Sequence, residues 1–505
     1  MFKTALVSIL TLSSVHAIEC RLVNNQGHQP ISLSGKKLSV FWSQEYAGTD
    51  LVKEELDNIP WAKRVNVSVF DSGFEKEFIN ISQTTKVDSS FIIRNRKMTA
   101  HHGTSVANII NGNNSYGVSN KVDYLGLRNV KYSAMYGSEF NRYEKIKKYP
   151  KIISNSYGWQ NTERTRELSL MAKERGILWF LASGNDYPLE ISEVENNSGA
   201  LLVGSHAPSG LQSSFSQVSE NVITLAGGDD YQASIDGKGE HTNFGGTSGA
   251  TPLVAGSIVN IASLIPNITY EQTKKLIKKT NLPSFETNKN YTYSPGIFNA
   301  YKAYRVAKRI ALACLYNIDS KDSDCVSKQL DNDENFDFRD QVQILPSKDD
   351  ILNSELSCEQ RQKEFKRLRK ISLLLDSPQI WGELDSIYTK IGYTKNSEYY
   401  SNLKNRFRLS HTVISQMERG ALSAINDERY FEAYFRYQDY FSDDYQVQLS
   451  KALVLDKKIS KYWIVHFLTE LKSPLLPSVR SYLERSLIGA NLELTDYINQ
   501  VLSRY

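Results

Sequence analysis

The chain has 505 residues, of which 40% are hydrophobic and 23% are charged, and its formal net charge is +4. This length predicts two or three domains, and the composition is that of a soluble globular protein. So small a net charge excludes the basic excess typical of nucleic-acid-binding proteins, and it gives no reason to expect an anionic membrane as a partner.

The first 17 residues predict a secretory signal peptide. Lys3 precedes an apolar run, and Val15 and Ala17 form a small-residue cleavage pattern, so we expect the mature chain to begin near Ile18. The run is shorter than the roughly 20 residues that span a bilayer, and no other run is long enough. We therefore expect export without a transmembrane segment, followed by secretion or by retention in a periplasm or at a cell surface.

Four cysteines follow the expected cleavage site. They are Cys20, Cys314, Cys325 and Cys358. An even number in an exported protein predicts disulfides, for which three pairings exist. The short spacing favours Cys314 with Cys325, which leaves Cys20 with Cys358. Because there is no C-x-x-C motif and no cysteine–histidine grouping with zinc spacing, we predict no metal or redox role for these residues.

After an N-terminal segment (18–35), short apolar runs alternate with helical patterns from residue 36 to residue 315. The runs are VNVSVF, KIISNS, GILWFLAS, ALLVGS and NVITLAG. They are nearly continuous in hydrophobicity, which is typical of strands buried on both faces, and a helical pattern such as 163–176 lies between them. The alternation predicts an α/β domain with a mostly parallel sheet, whose ligand sites lie at the carboxyl ends of the strands.

The composition changes twice after this domain. In residues 316–357 acidic residues outnumber basic ones and apolar periodicity is weak, which predicts an acidic linker. The linker resembles a calcium-binding loop only in part, because Phe336 stands where glycine is required. From 358 to 505 apolar residues recur at three- and four-residue spacing, which predicts an all-α domain of several antiparallel helices.

Three short segments contain residues suited to nucleophilic catalysis. Asp71 ends an apolar run, His102 begins a helical stretch, and Ser248 lies at a helix start rich in small residues. Taken singly, each residue has an ordinary structural interpretation. Taken together, a carboxylate can orient an imidazole, the imidazole can activate a serine hydroxyl, and the unpaired amides of a helix start can stabilise an oxyanion.

In this order, the segments VFDSG, HGTSVA and GTSGATPLVAG resemble the aspartate, histidine and serine motifs of the subtilisin-like serine peptidases (subtilases, peptidase S8 family). The segments SNSYG, LASGN and GIFNAYKA extend the resemblance over about residues 36–312. The resemblance implies a subtilisin-like three-layer α/β fold with a mostly parallel sheet over 36–315. It also implies an endopeptidase that acts on proteins or peptides through an acyl-enzyme intermediate.

The resemblance also implies a role for each matching residue. Ser248 would be the nucleophile, His102 the general base and Asp71 the group that orients it, while Asn185 would donate to the oxyanion. His101 is the neighbouring alternative for the base. The residues expected to bind substrate are Ser156, Tyr157, Gly158, Ala182, Ser183 and Gly184. This chemistry requires no cofactor or metal; the family allows a structural calcium ion, for which the sequence identifies no ligands.

The sequence departs from the family pattern in two respects. Ser105, Asn108, Gly249 and Leu253 replace commoner residues of the motifs, although none is a triad position. The stretch before Asp71 is also too short for the full prodomain of many secreted subtilases. We therefore expect the helical domain to bind the catalytic domain, as an intramolecular chaperone or inhibitor, or to bind a protein partner. The alternative function is a catalytically inactive subtilase-like module that binds peptides or proteins.

Overall fold

The computed structural model describes residues 20–23, 29–33, 35–79, 81, 84–91, 100–113, 117–129, 137–138, 140–141, 143, 149–157, 163–187, 191–217, 219–229, 232–235, 241–284, 295–315, 323–342, 345–353, 355–405, 477–488, 495–496, 498–499 and 502–503. The predicted signal peptide, Gly158, and residues 406–476 of the predicted helical domain lie outside this part of the chain.

A seven-stranded parallel sheet forms the centre of the fold. The strands of the described residues, four of which lie outside this sheet, are β1 (Ile31–Leu33), β2 (Lys36–Leu38), β3 (Val65–Asp71), β4 (Lys86–Phe91), β5 (Val122–Asn129), β6 (Ile152–Asn155), β7 (Leu178–Ala182), β8 (Leu201–His206), β9 (Val222–Gly227), β10 (Gln232–Ile235) and β11 (His241–Phe244). The central sheet has the order β4-β5-β3-β6-β7-β8-β9 with parallel pairing throughout. β1 with β2 and β10 with β11 form separate antiparallel pairs.

Helices pack on both faces of this sheet, and the described residues form further helices beyond it. They are α1 (Trp42–Ala47), α2 (Thr49–Asp57), α3 (Ala100–Asn111), α4 (Glu163–Glu174), α5 (Glu193–Asn196), α6 (Thr247–Leu264), α7 (Tyr270–Thr280), α8 (Ala300–Leu315), α9 (Ser323–Asp331), α10 (Lys348–Leu352), α11 (Cys358–Leu374), α12 (Pro378–Lys390), α13 (Thr394–Lys404) and α14 (Pro477–Ser486), with 3₁₀ turns at Lys76–Phe78, Asp333–Phe336 and Arg339–Gln341.

Alternate residues of the central strands face opposite layers of the fold. In β7, Trp179 and Leu181 pack into a core with α4, whereas Leu178 and Phe180 belong to the larger core formed with α3, α6 and α8. Both sets are fully buried, which explains why the strands read as continuous apolar runs. The predicted α/β class with a mostly parallel sheet is confirmed.

The segment predicted as an acidic linker is folded wherever it is described. α9 packs against α7 and α8, and Leu330, Phe338 and Ile351 are fully buried. The acidic side chains lie on the outer side, where Asp333 pairs with Lys279 at 2.7 Å. A solvated linker is therefore wrong for residues 323–342 and 345–353. The few apolar residues that anchor the segment are too widely spaced to give a periodic pattern.

The first helices of the predicted helical domain dock on the α/β domain. The Arg369 guanidinium in α11 donates to both carboxylate oxygens of Asp50, at 2.8 and 3.1 Å, and to the Glu45 carbonyl at 2.9 Å. The Tyr399 ring in α13 stacks on Tyr46 with centroids 3.8 Å apart. α11–α13 therefore share one continuous core with the α/β domain.

Two disulfides close this arrangement. Cys314 pairs with Cys325, and Cys20 pairs with Cys358 at the start of α11, as predicted. The second bond ties the N-terminal segment to the helical region. In the described part of the chain, no helix has both the length and the apolar character needed to cross a membrane.

Candidate active site

The predicted catalytic residues lie at the carboxyl edge of the sheet. Asp71 is the last residue of β3 and is completely buried. His102 lies in the first turn of α3, and Ser248 is the second residue of α6. Because parallel strands end at a common edge, these residues, which are far apart in sequence, lie on the same side of the fold.

The Asp71 carboxylate holds the His102 ring on one side. His102 Nδ1 lies 2.8 Å from Asp71 Oδ1 and 2.9 Å from Oδ2. The backbone N–H of Ser72 donates to the same carboxylate at 2.7 Å. A side chain at Gly103 would place its Cβ 2.2 Å from the Gly73 carbonyl, so the glycine after the histidine allows α3 to approach the end of β3. In the neutral ring Nδ1 therefore carries the proton, and Nε2 is left as an acceptor.

The electrostatics of this pair favour the imidazolium. Burial lowers the pKa of His102, but the Asp71 charge and its hydrogen bond outweigh burial and raise that pKa above its ordinary value. The ring remains 32% exposed, and its edge contacts the Phe244 ring with centroids 5.1 Å apart. His102 is thus both accessible and stabilised in its protonated form, as a proton-transfer residue must be.

Ser248 and Ser156 form two reciprocal hydrogen bonds. The Ser248 hydroxyl donates to the Ser156 carbonyl at 2.9 Å, and the Ser156 hydroxyl donates to the Ser248 carbonyl at 3.0 Å. The second bond replaces a helical one, because Pro252 has no N–H to offer the carbonyl four residues before it. In this structure the Ser248 hydroxyl therefore donates to Ser156 and not to His102.

Asn185 is oriented by a residue that the sequence analysis missed. The backbone N–H and the hydroxyl of Thr247 both donate to Asn185 Oδ1, each at 2.9 Å. Since the Thr247 N–H can only donate, the accepting atom must be the amide oxygen, which fixes the orientation of the exposed side chain. The amide nitrogen then has no partner within the described residues. The sequence feature that could have identified Thr247 is its position in the GTS motif, one residue before Ser248.

Five of the six predicted substrate-binding residues line the same edge. Ser156 and Tyr157 follow β6, while Ala182 ends the neighbouring strand β7 and Ser183 and Gly184 follow it; Gly158 lies outside the described residues.

Gln217 supports the segment at the end of β7. The sequence analysis did not identify this residue either. Its carbonyl accepts from the Ser183 hydroxyl at 2.9 Å, and its N–H donates to the Gly184 carbonyl at 3.1 Å. Gly184 has φ +106°, and a Cβ there would lie 1.8 Å from Gln217 Oε1, so glycine is needed for both conformation and space.

Among the described residues, neither His206 nor a group of metal-binding side chains belongs to this site. His206 is buried at the end of β8, where its Nδ1 bonds the Ala207 carbonyl at 2.9 Å and burial lowers its pKa to about 4. The side chain of His101 lies outside the described residues. Within the described ranges, no group of three or more histidine, cysteine, aspartate or glutamate side chains could hold a metal ion.

Comparison with known proteins gives a consistent result. The model of the family described as "Subtilase family" matches residues 62–301. Subtilisin Savinase from Lederbergia lenta is 30% identical over 214 residues, which cover 40% of this chain and 77% of the relative. Subtilisin BL from the same organism is 30% identical over 155 residues, which cover 30% of this chain and 56% of the relative.

Solved structures were compared in the same way. A cold adapted subtilisin-like serine proteinase is 21% identical, covers 50% of this chain and 97% of its own, and aligns with a TM-score of 0.42. The chain spans little more than half of subtilisin BL but about three quarters of Savinase. The family match, the identity to Savinase and the parallel sheet lead to one conclusion: this chain belongs to the subtilase family of serine peptidases.

Proposed function

We propose that this chain is an exported serine endopeptidase that uses Asp71, His102 and Ser248 as its catalytic triad. The observation that carries the proposal is the contact of His102 Nδ1 with the buried Asp71 carboxylate, at 2.8 Å, on the same sheet edge as Ser248. A buried carboxylate bonded to Nδ1 serves a base that works through Nε2. The two disulfides suit an oxidising compartment, which supports export.

The first chemical step is attack by Ser248 on the scissile carbonyl. Its hydroxyl turns from the Ser156 carbonyl towards His102, which takes the proton on Nε2 while Oγ bonds the carbonyl carbon. The exchange replaces one hydrogen bond by another, so its cost is small compared with the chemical barrier. Asp71 stabilises the imidazolium that forms, in keeping with the raised pKa of His102.

The negative oxygen of the tetrahedral intermediate is held by two donors. One is the backbone N–H of Ser248, which at the second position of α6 has no carbonyl within the helix to bond. The other is the Asn185 amide nitrogen, which is available because Thr247 bonds the amide oxygen instead. Both donors are fixed before the substrate arrives, so little reorganisation accompanies the reaction.

The intermediate then collapses in two stages. His102 gives its proton to the leaving amine as the peptide C–N bond breaks, which leaves an acyl group on Ser248. Water, deprotonated by His102, attacks the acyl carbon, and the proton returns to the Ser248 oxygen. Every group in these steps belongs to the protein, the substrate or water, so the proposal needs no cofactor. The described residues supply no ligand set for the calcium ion that the family resemblance allows.

The substrate would lie between the two segments that follow β6 and β7. An extended peptide can pair with the Ser156–Tyr157 segment as an added strand, and its side chain would then contact Ala182, Ser183 and Gly184. This mode of binding selects an extended backbone of any sequence. It suits unfolded or loop regions of proteins as substrates.

The helical region would act as a permanent part of the catalytic domain. Its Arg369 and Lys370 side chains bind Asp50 and Glu55, the latter at 2.7 Å, and a disulfide anchors its first residue. An inhibitor or chaperone that leaves the enzyme would have to break these contacts. A permanent buttress of the α/β domain is the better account of such an interface.

A catalytically inactive binding module is the second candidate. The observation that favours it is the Ser248 hydroxyl bonded to Ser156 O instead of to His102. Catalytic hydrogen bonds are often formed only when substrate is present, so this contact does not outweigh the Asp71–His102 pair.

A peptide-library digest separates the two candidates. The purified mature chain is incubated with a mixed library, and the products are identified by mass spectrometry, with Ser248→Ala as the matched control. We expect cleavage products from the wild type and none from the variant. Intact library in both samples, with folded protein, would favour the binding module.

A further inference from the structure

The loop after β8 is held by the helical region. This β8 loop, residues 207–217, leaves the carboxyl edge of the sheet beside the end of β7. The Asn402 amide nitrogen in α13 donates to the Ser209 carbonyl in the loop at 2.8 Å. One turn earlier in α13, the Tyr399 ring stacks against the His206 ring at the end of β8, with centroids 6.4 Å apart. Side chains three positions apart share one helix face, so α13 contacts the loop and its origin with the same face.

Hydrogen bonds connect the tip of the β8 loop to its base. At the tip, the Gly210 N–H donates to the Ala207 carbonyl at 2.8 Å, and the Ala207 N–H donates to the Leu211 carbonyl at 2.7 Å. Nearer the base, the Ser213 N–H donates to the Ser205 carbonyl at 2.9 Å, and the two serine hydroxyls lie 2.8 Å apart. Because these bonds hold the loop as a hairpin against the end of β8, the position of the tip constrains that of the base.

The base of the β8 loop is bonded to the segment at the end of β7. The Gln217 carbonyl accepts from the Ser183 hydroxyl at 2.9 Å, and the Gln217 N–H donates to the Gly184 carbonyl at 3.1 Å. The Tyr187 N–H donates to the Phe215 carbonyl at 3.1 Å. Ser183 and Gly184 are expected to contact a substrate side chain. The base of the loop therefore fixes the position of this part of the expected substrate pocket.

We propose that Asn402 is a positioning residue for substrate selection. Through the β8 loop it sets the position of the pocket wall, residues 182–184. A pocket discriminates between side chains by the fit of its walls, so a shift of one wall changes the preference for large over small side chains. This role rests on the proposed function, in which the pocket wall contacts the substrate. It gives the helical region a part in specificity in addition to its part in stability.

The effect should depend on the side chain that the substrate presents. An extended peptide with glycine at the selected position would still pair with the segment after β6, but it offers no side chain to the pocket wall. A peptide with an apolar side chain there gains affinity by burying it, and that gain depends on where the wall lies. Loss of the Asn402 bond should therefore weaken binding of the apolar peptide more than binding of the glycine peptide. Since a neutral hydrogen bond changes an equilibrium about 2- to 13-fold, the difference should not exceed about 13-fold.

Peptide binding to the mature chain carrying Ser248→Ala tests the proposal, since this chain should bind without cleaving. A fluorescent alanine–serine peptide carries glycine, leucine or phenylalanine at its centre, and anisotropy gives each dissociation constant. The measured quantity is the affinity for the tighter apolar peptide divided by the affinity for the glycine peptide. Asn402→Ala should lower this ratio at least about threefold. Asn402→Asp, which is nearly isosteric but cannot donate when ionised, should lower it as well.

A different contact of α13 supplies the control. Lys36→Ala removes the ion pair with Glu398, whose charged atoms lie 3.1 Å apart, and should leave the ratio unchanged. Unfolding in urea verifies that each variant folds, and either folded Asn402 variant is sufficient. An unchanged ratio, an equal loss for all the peptides, or no saturable binding by the parent would overturn the proposal. If the wild type cleaves no peptide, the peptidase function fails, and the binding ratio still decides the role of Asn402.

Discussion

Replacing Thr247 by valine should slow catalysis without changing substrate binding. The substitution keeps the shape of the side chain but removes its hydroxyl, which donates to Asn185 Oδ1 at 2.9 Å and accepts from the Gly184 N–H at 3.3 Å. The backbone N–H of Thr247 still donates to Asn185, so one of two restraints on the amide is lost. A neutral hydrogen bond contributes about 0.5–1.5 kcal/mol, which corresponds to about a 2- to 13-fold lower kcat.

The assay is steady-state hydrolysis of a peptide chosen from the library digest. KM should stay near the wild-type value, because the Asn185 amide acts on charge that develops only in the transition state. Asn185→Leu gives the upper limit: losing an oxyanion donor costs about 2.7–4 kcal/mol where it has been measured, subtilisin included. Thr247→Ser keeps the hydroxyl and is the control. The reasoning fails if Thr247→Val matches Asn185→Leu, or if it has no effect on kcat.

Three further predictions concern the triad, the nucleophile helix and the helical region. Asp71→Asn should lower the pKa of His102 in an NMR titration, because the carboxylate raises it; an equal or higher value would contradict this. Ser156→Ala should destabilise the fold by about 1–3 kcal/mol in urea by leaving a buried carbonyl unpaired, and adding Pro252→Ala should restore part of that loss. Arg369→Ala should cost about 2–3 kcal/mol, and a loss below about 0.5 kcal/mol would mean that the docked helices add little stability.

The sequence predicts the parts of the fold that depend on local patterns. Continuous apolar runs identify the strands ending at Asp71 and Ala182, since a strand buried on both faces needs apolar residues at every position. The close spacing of Cys314 and Cys325 indicates their disulfide, and the remaining pair follows by elimination.

Features that depend on contacts between distant segments were not predicted. The Thr247–Asn185 and Ser156–Ser248 hydrogen bonds join residues separated by 62 and 92 positions, and no local pattern marks either one. The acidic segment after α8 is anchored by isolated apolar residues such as Phe338, which the Arg309 guanidinium covers at 3.9 Å. Whether such an isolated apolar residue is buried depends on the surface that it packs against, and residues distant in sequence form that surface.

Labelling with a fluorophosphonate tests the central claim most directly. The reagent forms a covalent bond with a serine only when a base activates the hydroxyl and an oxyanion site accepts the phosphonyl oxygen. We predict that the folded wild-type chain is labelled on the peptide containing Ser248, that Asp71→Asn is labelled far more slowly, and that Ser248→Ala is not labelled. Folded wild-type protein that stays unlabelled, or that carries the label on another serine, would contradict the proposed active site.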